Sequence, residues 1–309
     1  MTLADRSASR KKGNKLMAKK IKRVLTITNF NIYDKAQAAL QVAEKLEQVG
    51  CEVCTLMFNK DKLLRYKPKT RFTFLPMEDA YSSVDAVLVL GGDGTILESA
   101  RRAAPTGTLV LGLNLGRLGY MAELDMSELD ELARLTEGDY EVETRSMINI
   151  EILATDGKVK RQEYALNDAV LSNGTISRVV DLELYEGEQH ISTYRSDGMI
   201  VSTPTGSTAY SLSAGGAIVD PRLNCLCVTP ICPHSLYARP LIFQDSASIR
   251  IKNICQREKT LFLTVDGRNN YELCIGESVR ITRSEKLTHL IRLKTSSFYE
   301  RLRQKMTDK

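Results

Sequence analysis

The chain has 309 residues, of which 43% are hydrophobic and 26% charged, with seven cysteines and no tryptophan. This is ordinary globular composition, long enough for two domains, and it excludes a disordered, collagen-like or disulfide-stapled chain. The net charge of +5 comes from one end: residues 1–23 hold nine Lys and Arg against the single acid Asp5, which leaves −3 on the remainder. A mildly acidic body is a poor face for duplex nucleic acid. No apolar run approaches the roughly 18 residues that span a bilayer. Neither nucleic acid nor membrane is therefore an expected partner.

The basic tail, residues 1–20, lacks the apolar core of a secretory signal and reads as a solvated, disordered extension. An odd number of cysteines with no such signal reads as reduced thiols in the cytoplasm. Cys51 and Cys54 form one Cys-x-x-Cys inside an apparent strand, and no second pair has matching spacing. They read as small core residues rather than half a zinc site. The three histidines, His190, His234 and His289, are far apart.

In chain order, Ile21–Thr28 reads as a buried strand. A helix follows from Asp34 to Val49, with Ala36, Ala39, Leu40, Ala43 and Leu46 on one side and Gly50 as its stop. Cys51–Phe58 is a second strand. Val84–Leu90 is a third, apolar throughout as a strand buried on both faces should be. Thr95–Ala104 is a helix, Thr108–Leu113 a fourth strand and Glu128–Leu135 a short helix. Strand alternating with helix implies a parallel sheet with crossover helices. After about residue 144 the texture changes to short β-rich runs: Ile148–Ala154, Val170–Ser172, Val179–Tyr185, Ile191–Arg195, Met199–Thr203, Ser248–Lys252, Leu261–Val265, Ser278–Thr282 and Thr288–Leu293. That spacing predicts an all-β, sandwich-like domain. Phe298–Met306 reads as a final amphipathic helix that packs back on the first domain. The expected division is an α/β domain over 21–144, joined by 295–309, and a β-rich domain over 145–294.

Three segments carry chemistry. Gly91-Gly92-Asp93-Gly94-Thr95 directly follows the Val84–Leu90 strand and opens a helix. Ligands of open α/β sheets bind beyond the carboxyl ends of strands. Glycines there let backbone N–H groups approach phosphate oxygens, and the helix terminus adds partial positive charge. The segment is neither a Walker loop nor a Rossmann fingerprint. Asp93 repels phosphate unless it handles a proton or a metal, which is what phosphorylation of a hydroxyl requires. In Asn167-Asp168 the amide can pair with an adenine edge and the acid with ribose hydroxyls; an Asx turn between strands is the plainer reading of the pair alone. Thr203 to Gly216, behind Asp197-Gly198, is rich in Ser, Thr and Gly. It offers hydroxyls and backbone to a polar ligand, with Tyr210 to stack or hydrogen-bond.

Together these segments resemble the NAD kinase family. The pieces are Gly91–Thr95, Leu113-Asn114-Leu115-Gly116-Arg117-Leu118-Gly119-Tyr120, Asn167-Asp168, Asp197 through Gly216, Pro233–Leu236 and Ala238–Pro240. They stand in family order over residues 21–306. The glycine-rich turn alone also fits lipid kinases of the diacylglycerol or sphingosine type and phosphofructokinases, and Thr203–Gly216 is the discriminating piece. The resemblance implies transfer of the γ-phosphoryl group of ATP to the 2′-hydroxyl of the adenosine ribose of NAD. Asp93 would be the general base and Mg²⁺ the companion ion. Gly91, Gly92, Gly94 and Thr95 would hold phosphates. Asn167 would read the adenine and Asp168 the ribose. Thr208, Ala209, Tyr210 and Ser213 would line the dinucleotide site. Asp197, Arg195 and Arg178 would meet the nicotinamide half. It also implies a homodimer or homotetramer in which some contacts cross between subunits. Two departures stand out: relatives often have Asn-Glu where this chain has Asn167-Asp168, and Gln where Arg268 stands. A lipid kinase of the same superfamily and a non-catalytic dinucleotide-binding regulator are the alternative readings. The regulator has no need of Asp93.

Overall fold

A computed structural model describes residues 18–116, 119–174, 179–256, 261–294 and 297–307. In the first half β1 (Arg23–Ile27) leads into α1 (Tyr33–Gln48), whose buried residues Ala36, Ala39, Val42, Ala43 and Leu46 recur at three- and four-residue steps and form its core-facing stripe. Then come β2 (Glu52–Leu56), α2 (Lys60–Leu64), β3 (Phe72–Leu75), α3 (Met77–Ala80) and β4 (Ala86–Leu90). α4 (Asp93–Ala103), β5 (Leu109–Asn114), the two-residue β6 (Leu124–Asp125) and α5 (Ala133–Glu137) complete this half. The long strands pair in parallel in the order β5-β4-β1-β2-β3. β4 is buried at all five positions, as a central strand covered on both faces must be. β3, which the sequence reading passed over, lies at the edge. Cys51 and Cys54 are free and buried, and burial lifts both thiols to about 11.

The second half contains β7 (Glu141–Leu153), β8 (Val159–Ala165), β9 (Asp168–Asn173), β10 (Val180–Glu186), β11 (Gln189–Ser196) and β12 (Gly198–Ser202). α6 (Tyr210–Ser213) precedes β13 (Cys225–Ile231), β14 (Leu241–Gln244), β15 (Ile249–Asn253), β16 (Leu261–Val265), β17 (Asn270–Leu273), β18 (Ser278–Arg292) and α7 (Phe298–Thr307). One sheet is antiparallel, in the order β14-β13-β12-β9-β16-β17. The other is continuous with the sheet of the first half. The fifteen-residue β18 pairs antiparallel with β15 and β7, and in parallel with β5 at His289 and Leu290. Leu171, Met199, Val201 and Leu263 of the first sheet share one core with Leu182, Ile249, Ile251 and Ile281 of the second, giving the predicted sandwich. The two strands expected over Ser278–Thr282 and Thr288–Leu293 are one. The interruption between them is a shift of register between Arg283 and Leu287, not an end.

Candidate active site

The glycine-rich turn leaves β4 toward β5. The Gly91 N–H donates to the Leu113 carbonyl at 3.0 Å, which ties the turn to the neighbouring strand. Gly92 is extended and caps α4, and its carbonyl accepts from Thr95 N–H at 3.0 Å and Ile96 N–H at 3.2 Å. Asp93 is thus the first residue of α4, where helix N–H groups lack partners within the helix. Its carboxylate accepts two backbone N–H bonds, from Tyr120 at 2.9 Å and Met121 at 3.1 Å. Two donors fix the carboxylate in orientation as well as place. Gly119 makes this approach possible, because a Cβ there would lie 2.0 Å from Asp93 Oδ1. Lys305 of α7 brings its ammonium to 3.5 Å from Asp93 Oδ2 and 3.8 Å from the Tyr120 ring centroid. Burial, and then the charge of Asp93, raises the Tyr120 phenol above its ordinary pKa.

Asn167 immediately precedes β9, and its backbone is pinned from two sides. The Asp266 carboxylate accepts the N–H groups of Leu166, Asn167 and Asp168 at 3.0, 2.8 and 3.1 Å. The Asn167 carbonyl accepts Thr203 N–H at 2.9 Å. Gly206 is required here, since a Cβ would fall 2.1 Å from the Asn167 carbonyl oxygen. Burial, and then the charge of Asp266, lifts the Asp168 carboxyl to about 7. Burial also raises Asp266, against its three N–H donors.

The Ser- and Thr-rich stretch departs from its sequence reading. Thr203, Thr205, Ser207 and Ser211 are buried, and several of these hydroxyls bond within the chain. Thr203 Oγ1 reaches the Leu166 carbonyl at 2.5 Å, Ser207 Oγ the Pro204 carbonyl at 2.7 Å, and Ser211 Oγ lies 3.0 Å from Thr229 Oγ1. They hold a tight loop in shape, and Thr208 and Ala209 are left facing open space beside it.

That space is a cleft of about 200 Å³. Asp93, Tyr120 and Met121 line it from the first half, Asn167, Thr208 and Ala209 from the second, and Phe298 and Lys305 from α7. Of the sequence-predicted residues, Asp93, Asn167, Thr208 and Ala209 meet here. Gly91, Gly92, Gly94 and Thr95 form the turn around Asp93, and Asp168 is buried beside Asn167. Arg195, Asp197, Tyr210 and Ser213 are exposed and do not line the cleft. Arg178 lies outside the described residues. Sequence reasoning missed Arg145, Asp266, Phe298 and Lys305. Only Asp266 had a local signal, the Asp-Gly pair after a strand. Arg268, set aside as a departure, donates to the Gly94 carbonyl at 3.3 Å and pairs with Glu98 at 3.0 Å, so it braces the glycine-rich turn. Among the described residues no group of three or more His, Cys, Asp or Glu side chains converges as a metal site, and no helix is long and apolar enough to cross a membrane.

Residues 8–140 match the sequence model of the ATP-NAD kinase N-terminal domain, and residues 166–293 match that of the C-terminal domain. The NAD kinase of Carboxydothermus hydrogenoformans is 44% identical over 233 residues, 75% of this chain and 82% of that protein. The chain belongs to the NAD kinase family. It is accordingly an enzyme, a kinase, as its sequence implied. The NAD kinase of Caldanaerobacter subterraneus subsp. tengcongensis is 42% identical over 232 residues, 75% of this chain and 81% of its own. The fold agrees with solved structures: yeast NADH kinase complexed with NADH has a TM-score of 0.84 at 23% identity, covering 94% of this chain and 88% of that one. The Archaeoglobus fulgidus NAD kinase in complex with ATP has a TM-score of 0.68 at 23% identity, covering 92% and 97%. The family's two matched segments contain Asp93 and the Asn167–Asp266 clasp respectively. Arg145 and Lys305 fall outside both.

Proposed function

We propose that the cleft is where the 2′-hydroxyl of the adenosine ribose of NAD meets the γ-phosphoryl group of ATP, with Asp93 as the general base for that hydroxyl. The chain is a kinase that phosphorylates NAD at the expense of ATP. The observation that carries the finer reading is the placement of Asp93. Its carboxylate is held by two N–H groups at the first residue of a helix, behind a glycine-rich turn, in a cleft that also holds Asn167. The N–H groups at the start of a helix such as α4 are suited to phosphate oxygens. A carboxylate among them takes the proton as the hydroxyl oxygen bonds to phosphorus and the bond from phosphorus to the β-phosphate oxygen breaks. ADP leaves with that electron pair. Asn167 takes the adenine edge, Asp168 the ribose, and Thr208 and Ala209 flank the dinucleotide.

Mg²⁺ prefers one or two carboxylates plus substrate phosphates to an all-protein cage. A single carboxylate at the phosphate turn fits an ion carried mainly by the nucleotide; helping to hold that ion would be the role that competes with proton acceptance at Asp93. When bound, the ion neutralises phosphate charge. The exposed positions of Arg195, Asp197, Tyr210 and Ser213, outside the single-chain cleft, support a homodimer or homotetramer in which a second copy brings such residues to the dinucleotide. The setting we propose is the cytoplasm. Asp93→Asn is the test. It should fold and bind NAD while turnover falls by at least about a hundredfold, the scale of a lost general base. Normal turnover in that variant would remove Asp93 from the mechanism.

A further inference from the structure

Two cations border the cleft without a role in the proposed proton transfer. Arg145, on β7, is buried at 4% exposure. Its Nη2 pairs with Glu143 Oε1 at 2.8 Å and its Nη1 donates to Thr205 Oγ1 at 3.1 Å. Its Nε–H is buried and meets no acceptor among the described residues. Glu143 is also shared, since it accepts Arg292 Nε as well, so it offsets Arg145 only in part. Burial pulls the Arg145 guanidinium down to about 10, which still leaves it protonated at neutral pH. An unsatisfied buried N–H on a charged group is costly and calls for a partner. Arg145 lines the same cleft as Asp93 and Lys305. Lys305 is loosely held. Its 3.5 Å approach to Asp93 is longer than a charge-assisted hydrogen bond, and it also stands over the face of Tyr120. Asp93 keeps two N–H donors if that ammonium moves.

We propose that Arg145 and Lys305 are a pair of positioning cations that seat the triphosphate of ATP beside Asp93. The inference rests on the reading of this cleft as the phosphoryl-transfer site. Arg145 supplies a fixed guanidinium, the geometry suited to phosphate oxygens, and Lys305 a mobile point charge from the C-terminal helix. Lys305 passes from Asp93 to phosphate as the nucleotide enters, and so exchanges one anionic partner for another.

The test is calorimetric titration of the full-length protein with ATP, AMP and NAD, beside steady-state kinetics. Lys305→Gln should weaken ATP about tenfold, the equivalent of one charged contact, and leave AMP and NAD within about twofold. The KM for ATP should rise more than kcat falls. Lys305→Arg should restore most of the ATP affinity. Arg145→Lys should show the same selectivity for ATP over AMP, with its melting temperature measured alongside; if it does not fold, the two Lys305 variants decide. Equal losses for ATP and AMP would mean a structural role, and a loss for NAD with ATP intact would assign the cations to the dinucleotide. Either result overturns the proposal. Asp93→Asn separates the two claims: normal turnover there removes the base, while the ATP-over-AMP comparison still judges the cations on its own.

Discussion

Gly119→Ala probes the placement of Asp93 without touching it. The backbone at Gly119 lies outside the left-handed region, so alanine is tolerated there, and the loss of chain entropy in the unfolded state favours folding by about 0.4–1 kcal/mol. The added Cβ would lie 2.0 Å from Asp93 Oδ1, where ordinary contact begins at 3.4 Å. The carboxylate must therefore withdraw by roughly 1.4 Å. That breaks or lengthens its bonds from Tyr120 and Met121 N–H. A hydrogen bond to a charged group is worth about 1.5–3 kcal/mol. The Asp93 side chain is 35% exposed, so water replaces part of the loss. The predicted net cost in stability is about 1 kcal/mol, within the usual range for a point mutant. Turnover should suffer far more, because displacing a reacting group by about 1 Å costs on the order of a hundredfold. The assay is the initial rate of NADP formation with melting temperature and NAD affinity measured together. Gly116→Ala, where an added Cβ meets nothing within 4 Å, is the control and should be near wild type. A Gly119→Ala enzyme with kcat within about threefold of wild type would refute the reasoning, as would a loss explained wholly by unfolding.

Three further outcomes follow from the same geometry. Asp266→Asn replaces the acceptor of three N–H groups with an amide that cannot accept them all, so stability should fall by about 2 kcal/mol and the KM for NAD should rise as Asn167 loosens; urea unfolding and kinetics check both. The Asp168 carboxyl, lifted to about 7 by burial and Asp266, holds a proton in the folded state that the unfolded state has already lost. Its contribution is therefore fully present below about pH 4 and lost as pH rises through about 7. At about 1.4 kcal/mol per pH unit this is worth at most about 4 kcal/mol, and Asp168→Asn should flatten the dependence of the urea midpoint on pH between 5 and 8. Alkylation of the native protein by iodoacetamide at pH 8, read by mass spectrometry, should label the exposed Cys232 and Cys274 and spare the buried Cys51 and Cys54, whose thiols burial holds near 11.

The parallel half was legible where burial is two-sided or periodic. The run Ala86–Leu90 reads as a central strand because every side chain in it is apolar, and α1 because its alanines repeat at helical spacing. β3 was hidden because Phe72–Leu75 is four residues long, follows a basic run and sits at an edge where only Leu75 is buried. β8 was missed for the opposite reason to β4: its first four residues are exposed and three of them, Lys160, Arg161 and Gln162, are polar, so no alternation marks it. β13 is buried throughout but carries Pro230, which argues against a central strand on sequence grounds. Within the site, the glycine-rich turn and Asn167 were legible because their chemistry is local. Asp266 reaches Asn167 across 99 positions, and Lys305 reaches Asp93 from the far end of the chain. Contacts of that kind exist only once the sheets are assembled. The Ser and Thr hydroxyls of the loop misled for a related reason, since side-chain oxygens that look available to a ligand were already used to shape the backbone.

The proposed chemistry is phosphorylation of the 2′-hydroxyl of NAD in this cleft with Asp93 as base. The most direct measurement supplies NAD, γ-labelled ATP and Mg²⁺ to the purified protein and follows the product with an NADP-specific dehydrogenase, with Asp93→Asn run in parallel. Labelled NADP is expected from the wild type, competent in the dehydrogenase because the phosphate is on the 2′-oxygen, with a collapse of that signal in the variant. No labelled dinucleotide from a folded wild-type protein that binds NAD, or equal product from both proteins, would contradict it.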